Sequence, residues 1–193
     1  MAVEIYLIRH GETEFNRAGR YQGQQDSALT EKGRGQARRN GRRLKELIGD
    51  AAAFDFVASP LGRTVTTAQI ICEELGFDPT AVRTDARLME IAFGDWEGMT
   101  REEIDARWPG AWQRRRENRW HHAMPNGENY AMVADRLQAW LDEVEGRTIA
   151  VAHGAVGRVL RGLYAGLSQQ EVLDLDEPQD EFFRLAEGTI TRL

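Results

Sequence analysis

Two dipeptides, Arg9-His10 and His153-Gly154, and one arginine, Arg63, bring together the side chains of this sequence best suited to joint chemistry. Each follows a short apolar run: Val3 to Ile8, Phe54 to Ala58 and Thr148 to Ala152. Runs of that length rich in β-formers read as buried strands, and in an open parallel sheet the loops beyond the strands' carboxyl ends converge on one crevice. Taken singly, Arg63 reads as a surface charge at a helix start, and His10 and His153, each before a glycine at a strand end, divide evenly between a structural and a cleft-facing role. Sharing one topological position, two guanidiniums and two imidazoles would face a single spot. Such a cluster suits a phosphate dianion, because guanidinium forks match its oxygens and helix N-terminal amides complement its charge without a metal. A neutral imidazole at His10 would attack phosphorus and form a phosphohistidine that water can discharge. A second, protonated imidazole at His153 would steady the transferring oxygens.

The departing alkoxide needs a proton, and the stretch Leu88 to Gly98 offers Glu90, Asp95 and Glu97. Glu90 is preferred, although physical chemistry alone divides the role among the three. Nearby cations would lower its pKa and burial beside Met89 and Phe93 would raise it.

These side chains need a frame. Helical patterning runs from Thr30 to Ile48, with Ala37, Leu44, Leu47 and Ile48 on one face. A second helix begins near Arg63, with Val65, Ala68, Cys72 and Leu75 turned to the core, and a third follows His153 and ends near Gly166. Strands alternating with helices imply a mainly parallel sheet. Thr100 to Tyr130 opens with a capping box, Thr100 with Glu103, and reads as a helical insertion at about 100-130. Val133, Leu137, Trp140, Leu141 and Val144 mark a returning helix N-capped by Asn129, and Glu181 to Leu185 with Thr189 to Leu193 suggest an edge hairpin.

At 193 residues the chain suits one α/β domain. A net charge of -6 lacks the basic footprint of a nucleic-acid binder. No apolar run reaches membrane-spanning length and Met1 to Ile5 show no leader, so a cytoplasmic location is expected, without membrane association. Cys72, the single cysteine, reads as core packing.

Arg9-His10-Gly11-Glu12-Thr13, Asn16, Gln22-Gly23, Leu29-Thr30-Glu31-Lys32-Gly33, Ser59-Pro60-Leu61-Gly62-Arg63 with Thr67-Ala68, and Ala152-His153-Gly154 with Arg158 together resemble the histidine phosphatase superfamily, the phosphoglycerate mutase-like family. The resemblance spans nearly the whole chain. It implies a three-layer α/β/α sandwich, His10 as the phosphorylated nucleophile, and Arg9, Arg63 and His153 as the phosphate pocket. It selects Glu90 as proton donor and carries over Asn16, Gln22 and Gly154 as phosphate or substrate contacts. On residue type alone, Asn16 reads as a turn residue and Gln22 as exposed polar surface. Gln24-Gln25, Asn129 and the missing asparagine near the end depart from the family pattern, which bears on substrate preference.

A mutase must keep water from its phosphohistidine. The insertion is short for the family's mutases and the sequence ends directly after its last strand, so hydrolysis of a small-molecule phosphate monoester is expected, metal-independent and without a cofactor. The alternatives are a cofactor-dependent phosphoglycerate mutase, which would use 2,3-bisphosphoglycerate, a non-catalytic phosphate-binding module, and a metal centre of His10, His153 and Glu90 disfavoured by the flanking arginines. Arg114, Arg115, Arg116, Arg119, His121 and His122 read as a solvated helix face, and Trp108, Trp112 and Trp120 as packing anchors. A monomer or homodimer is expected.

Overall fold

The computed structural model describes residues 3–193; the leader reading falls partly on Met1 and Ala2, outside them. Among the described residues six strands are ordered β3-β2-β4-β1-β5-β6. They are β1 (Glu4–Arg9), β2 (Asp55–Ala58), β3 (Arg83–Thr84), β4 (Arg147–Ala152), β5 (Phe182–Ala186) and β6 (Thr189–Arg192). The first four pair in parallel, β5 runs antiparallel to β1, and β5 and β6 form the expected hairpin.

Alternation along the central strands builds two cores. Ile5, Leu7, Val57, Ala150 and Ala152 point into one, and Tyr6, Ile8, Phe56, Ala58, Ile149 and Val151 into the other. That two-sided burial is why the central strands read as continuous apolar runs rather than alternating ones. After the short α1 (Glu14–Arg17), α2 (Glu31–Ile48) and α3 (Gly62–Leu75) cover the second face. The insertion supplies α4 (Arg101–Arg107) and α5 (Ala111–Glu117), and α6 (Tyr130–Leu141), α7 (Gly154–Ala165) and α8 (Gln169–Asp174) lie on the first face. The result is a three-layer sandwich.

Local signals explain the helix starts. Thr30 caps α2 through the Gly33 amide at 3.0 Å, Thr100 and Glu103 close their capping box, and Asn129 caps α6. Two core assignments and one helix boundary are corrected. Leu47 is exposed, because α2 turns a small and polar stripe, Gly33, Gln36, Ala37, Asn40 and Gly41, inward beside Leu44 and Ile48. Val65 is only half-buried, its place taken by Thr64, Thr67 and Ile71. Val144 lies beyond the end of α6. Cys72 is fully buried in the core, and burial pushes its thiol up to about 12. Among the described residues no helix is long and apolar enough to cross a membrane.

Candidate active site

β1 and β4 are adjacent and in register, Arg9 opposite Ala152, so His10 and His153 leave the sheet side by side. Their rings lie 5.2 Å apart, edge to face. Arg9, His10, Arg63 and Glu90 line one cleft of about 490 Å³. The loop bearing His10 is packed without slack. A Cβ on Gly11 would fall 2.2 Å from the Gly33 carbonyl oxygen, and one on Gly33 would fall 2.0 Å from that of Glu12, so both glycines are needed where the loop meets α2. The Gly11 amide donates to Thr67 Oγ1 at 3.2 Å and Gln179 Nε2 to the His10 carbonyl at 3.2 Å.

His10 Nδ1 donates to its neighbour's carbonyl, Gly11 O, at 2.8 Å, which places the proton on Nδ1 and the free lone pair on Nε2. Burial, then the charges of Arg63 and Arg9, hold the His10 pKa well below the ordinary histidine value. The ring is therefore neutral at pH 7. Burial and Arg63 do the same to His153, followed by His10 and Arg9, against the expectation of a protonated second imidazole. His153 Nε2 lies 2.8 Å from Ser59 Oγ. With Ser59 donating, the proton of the neutral ring sits on Nδ1, which is buried without a partner.

Arg63 is clamped from one end. Its Nη atoms donate to the carbonyls of Gln25 and Gly23, both at 2.7 Å, and to Asp26 Oδ1 at 3.1 Å, while Nε has no partner. Arg9 donates from Nη1 to the Glu177 carbonyl, and its Nε is likewise buried and unpartnered. Five buried side-chain nitrogens lack a partner among the described residues: one each on Arg9, Arg63 and His153, the side chains expected to grip the anion, one on Arg119 in the cleft wall, and Trp96 Nε1. A buried donor without a partner costs about 1–3 kcal/mol, so the joint presence of those in the cleft points to a ligand. The helix ends contribute less than expected. The amides of Gly62 and Arg63 are taken by Asp26, and those of Ala155 and Val156 by Glu90 at 3.3 and 3.4 Å.

The three carboxylates separate cleanly. Glu97 accepts the amides of Phe93, Gln24 and Gln25 at 2.8–3.1 Å and fixes a loop. Asp95 accepts Asn126 Nδ2 at 3.0 Å. Only Glu90 of the three lines the cleft. Burial, then the charge of Glu177, raise its pKa, against the Ile91 amide, Arg63 and Arg9.

Asn16 and Gln22 both line the cleft. Asn16 Oδ1 accepts the Thr13 amide at 3.2 Å and Gln179 Nε2 at 3.1 Å, and Gln22 Oε1 accepts the Ser27 hydroxyl at 3.0 Å, which leaves each amide nitrogen as a donor. Gln22 is buried, contrary to its surface reading by residue type. Neither His153 nor Gly154 lines this cleft; both line a small neighbouring crevice, where Gly154 packs against Glu177. Among the described residues no group of three histidine, cysteine or acidic side chains is placed to hold a metal ion.

The insertion keeps its reading as a solvated face at Arg114 and His121, which are exposed, and departs from it elsewhere. Arg115, Arg116 and Arg119 line the cleft, and Arg115 is only 4% exposed. Its guanidinium lies 5.4 Å from the Phe93 ring centre and 5.8 Å from that of Trp112, with no ion pair among the described residues. Burial lowers its pKa to about 10. Trp112 lines the cleft with Tyr21 and Phe93, whereas Trp108 and Trp120 pack against the core as anchors. Sequence reasoning assigned no site role to Tyr130, Arg158 or Glu177, which also line the cleft. Arg158 stands one helical turn after Gly154 and could have been found from that spacing; Glu177 sits in a loop with no periodic signal.

Comparison with known proteins agrees with this frame. The family model of the histidine phosphatase superfamily (branch 1) matches residues 5–181. A probable phosphoglycerate mutase GpmB of Erwinia tasmaniensis is 37% identical over 179 residues, which cover 86% of this chain and 76% of that protein. A mycobacterial glucosyl-3-phosphoglycerate phosphatase solved with VO3 superposes with a TM-score of 0.78 at 32% identity, covering 98% of this chain and 96% of its own. An alpha-ribazole phosphatase from Shigella flexneri superposes with a TM-score of 0.80 at 25% identity, covering 97% and 93%. On the match of residues 5–181 and these relatives, the chain belongs to the histidine phosphatase superfamily and is an enzyme of its phosphatase kind.

Proposed function

We propose that this protein hydrolyses small phosphate monoesters through a phosphohistidine on His10, with no metal or dissociable cofactor. The observation that carries the reading is the pair of unpartnered buried donors in the cleft, Arg9 Nε and Arg63 Nε, with His10, a neutral imidazole whose lone pair is on Nε2, lining the same cleft and the His153 ring 5.2 Å from it. In the first step Nε2 of His10 attacks phosphorus, the bond from phosphorus to the ester oxygen breaks, and the Glu90 carboxyl gives its proton to the leaving alkoxide. In the second, the Glu90 carboxylate takes a proton from water, the hydroxide displaces His10 from phosphorus, and inorganic phosphate leaves. Arg9, Arg63 and the His153 Nδ1–H hold the equatorial oxygens throughout, and the Asn16 and Gln22 amides face the same oxygens or the ester.

Hydrolysis is favoured over isomerisation because the insertion's two helices are only seven residues each and leave the cleft open enough for water. The structural relatives above are phosphatases by name, which supports the same choice. A phosphoglycerate mutase is the second reading, since the Erwinia relative carries that name. The cationic and aromatic wall of Arg115, Arg116, Arg119 and Trp112 suits a substrate with a second acidic or planar group. Purified protein given p-nitrophenyl phosphate or 3-phosphoglycerate, in chelator, decides between them. Free phosphate from either is expected; 2-phosphoglycerate without free phosphate would replace hydrolysis by isomerisation.

A further inference from the structure

Among the described residues Glu177 is the one carboxylate besides Glu90 that lines the cleft, and the proposed chemistry gives it no task. Its placement is specific. Oε1 pairs with Arg158 Nε at 2.9 Å, Oε2 lies 3.9 Å from Arg9 Nη1, and its own carbonyl accepts Arg9. The first turn of α7 makes room for it: a Cβ on Gly154 would fall 2.4 Å from Glu177 Oε2. The carboxylate therefore sits where an incoming dianion meets Arg9, with a second cation already neutralised behind it.

We propose that Glu177 is a positioning residue that fixes Arg9 and Arg158 and, by its charge, loosens the site's hold on free phosphate, so that product dissociates. The inference rests on the phosphatase reading. A site built from Arg9, Arg63 and two imidazoles, with Asp26 on the far end of Arg63 but no carboxylate beside Arg9, would hold its product as tightly as its substrate's phosphoryl group, because both present the same oxygens. A like charge beside the anion offsets part of that attraction while leaving the guanidinium geometry intact. The same charge acts on the proposed acid. Glu90 faces Arg9, Arg63, His10 and Glu177, and of these Glu177 alone pushes its proton affinity up. Glu177 in turn faces Arg9, Arg158, His153, Arg161 and Glu181 around the small crevice.

The test is Glu177→Gln, which keeps shape and the main-chain hold on Arg9 but removes the charge. Inorganic phosphate binding, followed by calorimetry, reads the site without turnover. It is expected to tighten by roughly three- to tenfold. In parallel, the alkaline limb of kcat with an alkyl phosphate is expected to move down by about half to one pH unit. A merely structural role predicts weaker phosphate binding and an unmoved limb. Phosphate binding that is unchanged or weaker, or a limb that stays in place, overturns the proposal. Glu177→Asp, which restores the charge, is expected to return phosphate affinity to within about twofold of the native value; failure to do so equally overturns it. A native protein that releases no phosphate from any ester would instead end the phosphatase reading, independently of the binding result.

Discussion

Glu90→Gln tests the proton inventory of the site. Glu90 Oε1 accepts the amides of Ile91 at 3.0 Å and Val156 at 3.4 Å, and Oε2 accepts that of Ala155 at 3.3 Å. A glutamine can keep its oxygen on the first two and place its nitrogen toward the third, losing one weak hydrogen bond, about 1 kcal/mol. For a chain of this size that lowers Tm by roughly 2–4 °C, so the fold survives. The chemical loss is larger. Proton donation to an alkoxide contributes about 10²–10⁴-fold, or roughly 2.7–5.4 kcal/mol of barrier. A nitrophenolate leaves without a proton, so its transfer to His10 needs no acid. We expect kcat for glycerol phosphate to fall by about two orders of magnitude or more and initial-burst release of nitrophenol to fall by less than about tenfold. Stopped-flow nitrophenol release and steady-state phosphate release measure the two. Equal losses for both esters, or no loss for the alkyl one, would refute the assignment of Glu90.

The pH dependence follows from directions of shift. His10 protonates only well below the ordinary histidine value, so activity should persist into mildly acidic buffer, and the alkaline limb of alkyl-ester turnover should mark the raised Glu90 and vanish for the nitrophenyl burst. Stability carries a signature as well. His10 and His153 are depressed on folding, so the unfolded chain binds their protons first, and stability present above pH ~6.5 is lost as pH falls toward their folded values, each imidazole adding at most about 1.4 kcal/mol per pH unit; urea melts between pH 7 and 5 that show no decline would contradict this. Arg115→Leu should raise KM for doubly anionic esters about tenfold or more and that for p-nitrophenyl phosphate by less than about threefold, and equal effects on both would remove the insertion from substrate recognition. Gly33→Ala, which in an ordinary helix is stabilising, should here destabilise by about 1–3 kcal/mol, because the new methyl meets the Glu12 carbonyl; a gain in Tm would show that the α2 contact gives way.

The sheet was legible because strands buried on both faces are written as apolar runs, and Thr100 and Asn129 announced their helices by capping chemistry. The convergence of Arg9, His10, Arg63 and Glu90 was legible from topology and the family motifs together. What escaped depended on tertiary contact. The two-residue β3 has no pattern of its own, and Leu47 was read as core because periodicity cannot register that glycines and Asn40 let α2 sit close on α3. Arg115 looked solvated because a run of arginines gives no sign that Phe93 and Trp112 fold over one of them. Glu177 reaches the cleft through a loop, whose placement depends on distant arginines rather than on its neighbours in sequence.

The account stands on the His10 imidazole becoming covalently phosphorylated. Protein mixed with p-nitrophenyl phosphate and quenched in alkali, where phosphohistidine survives, is mapped by mass spectrometry of its peptides. The prediction is phosphate on His10 alone, lost on brief acid treatment and absent, together with turnover, in His10→Ala. Phosphate on another side chain, or undiminished hydrolysis by His10→Ala, would contradict it.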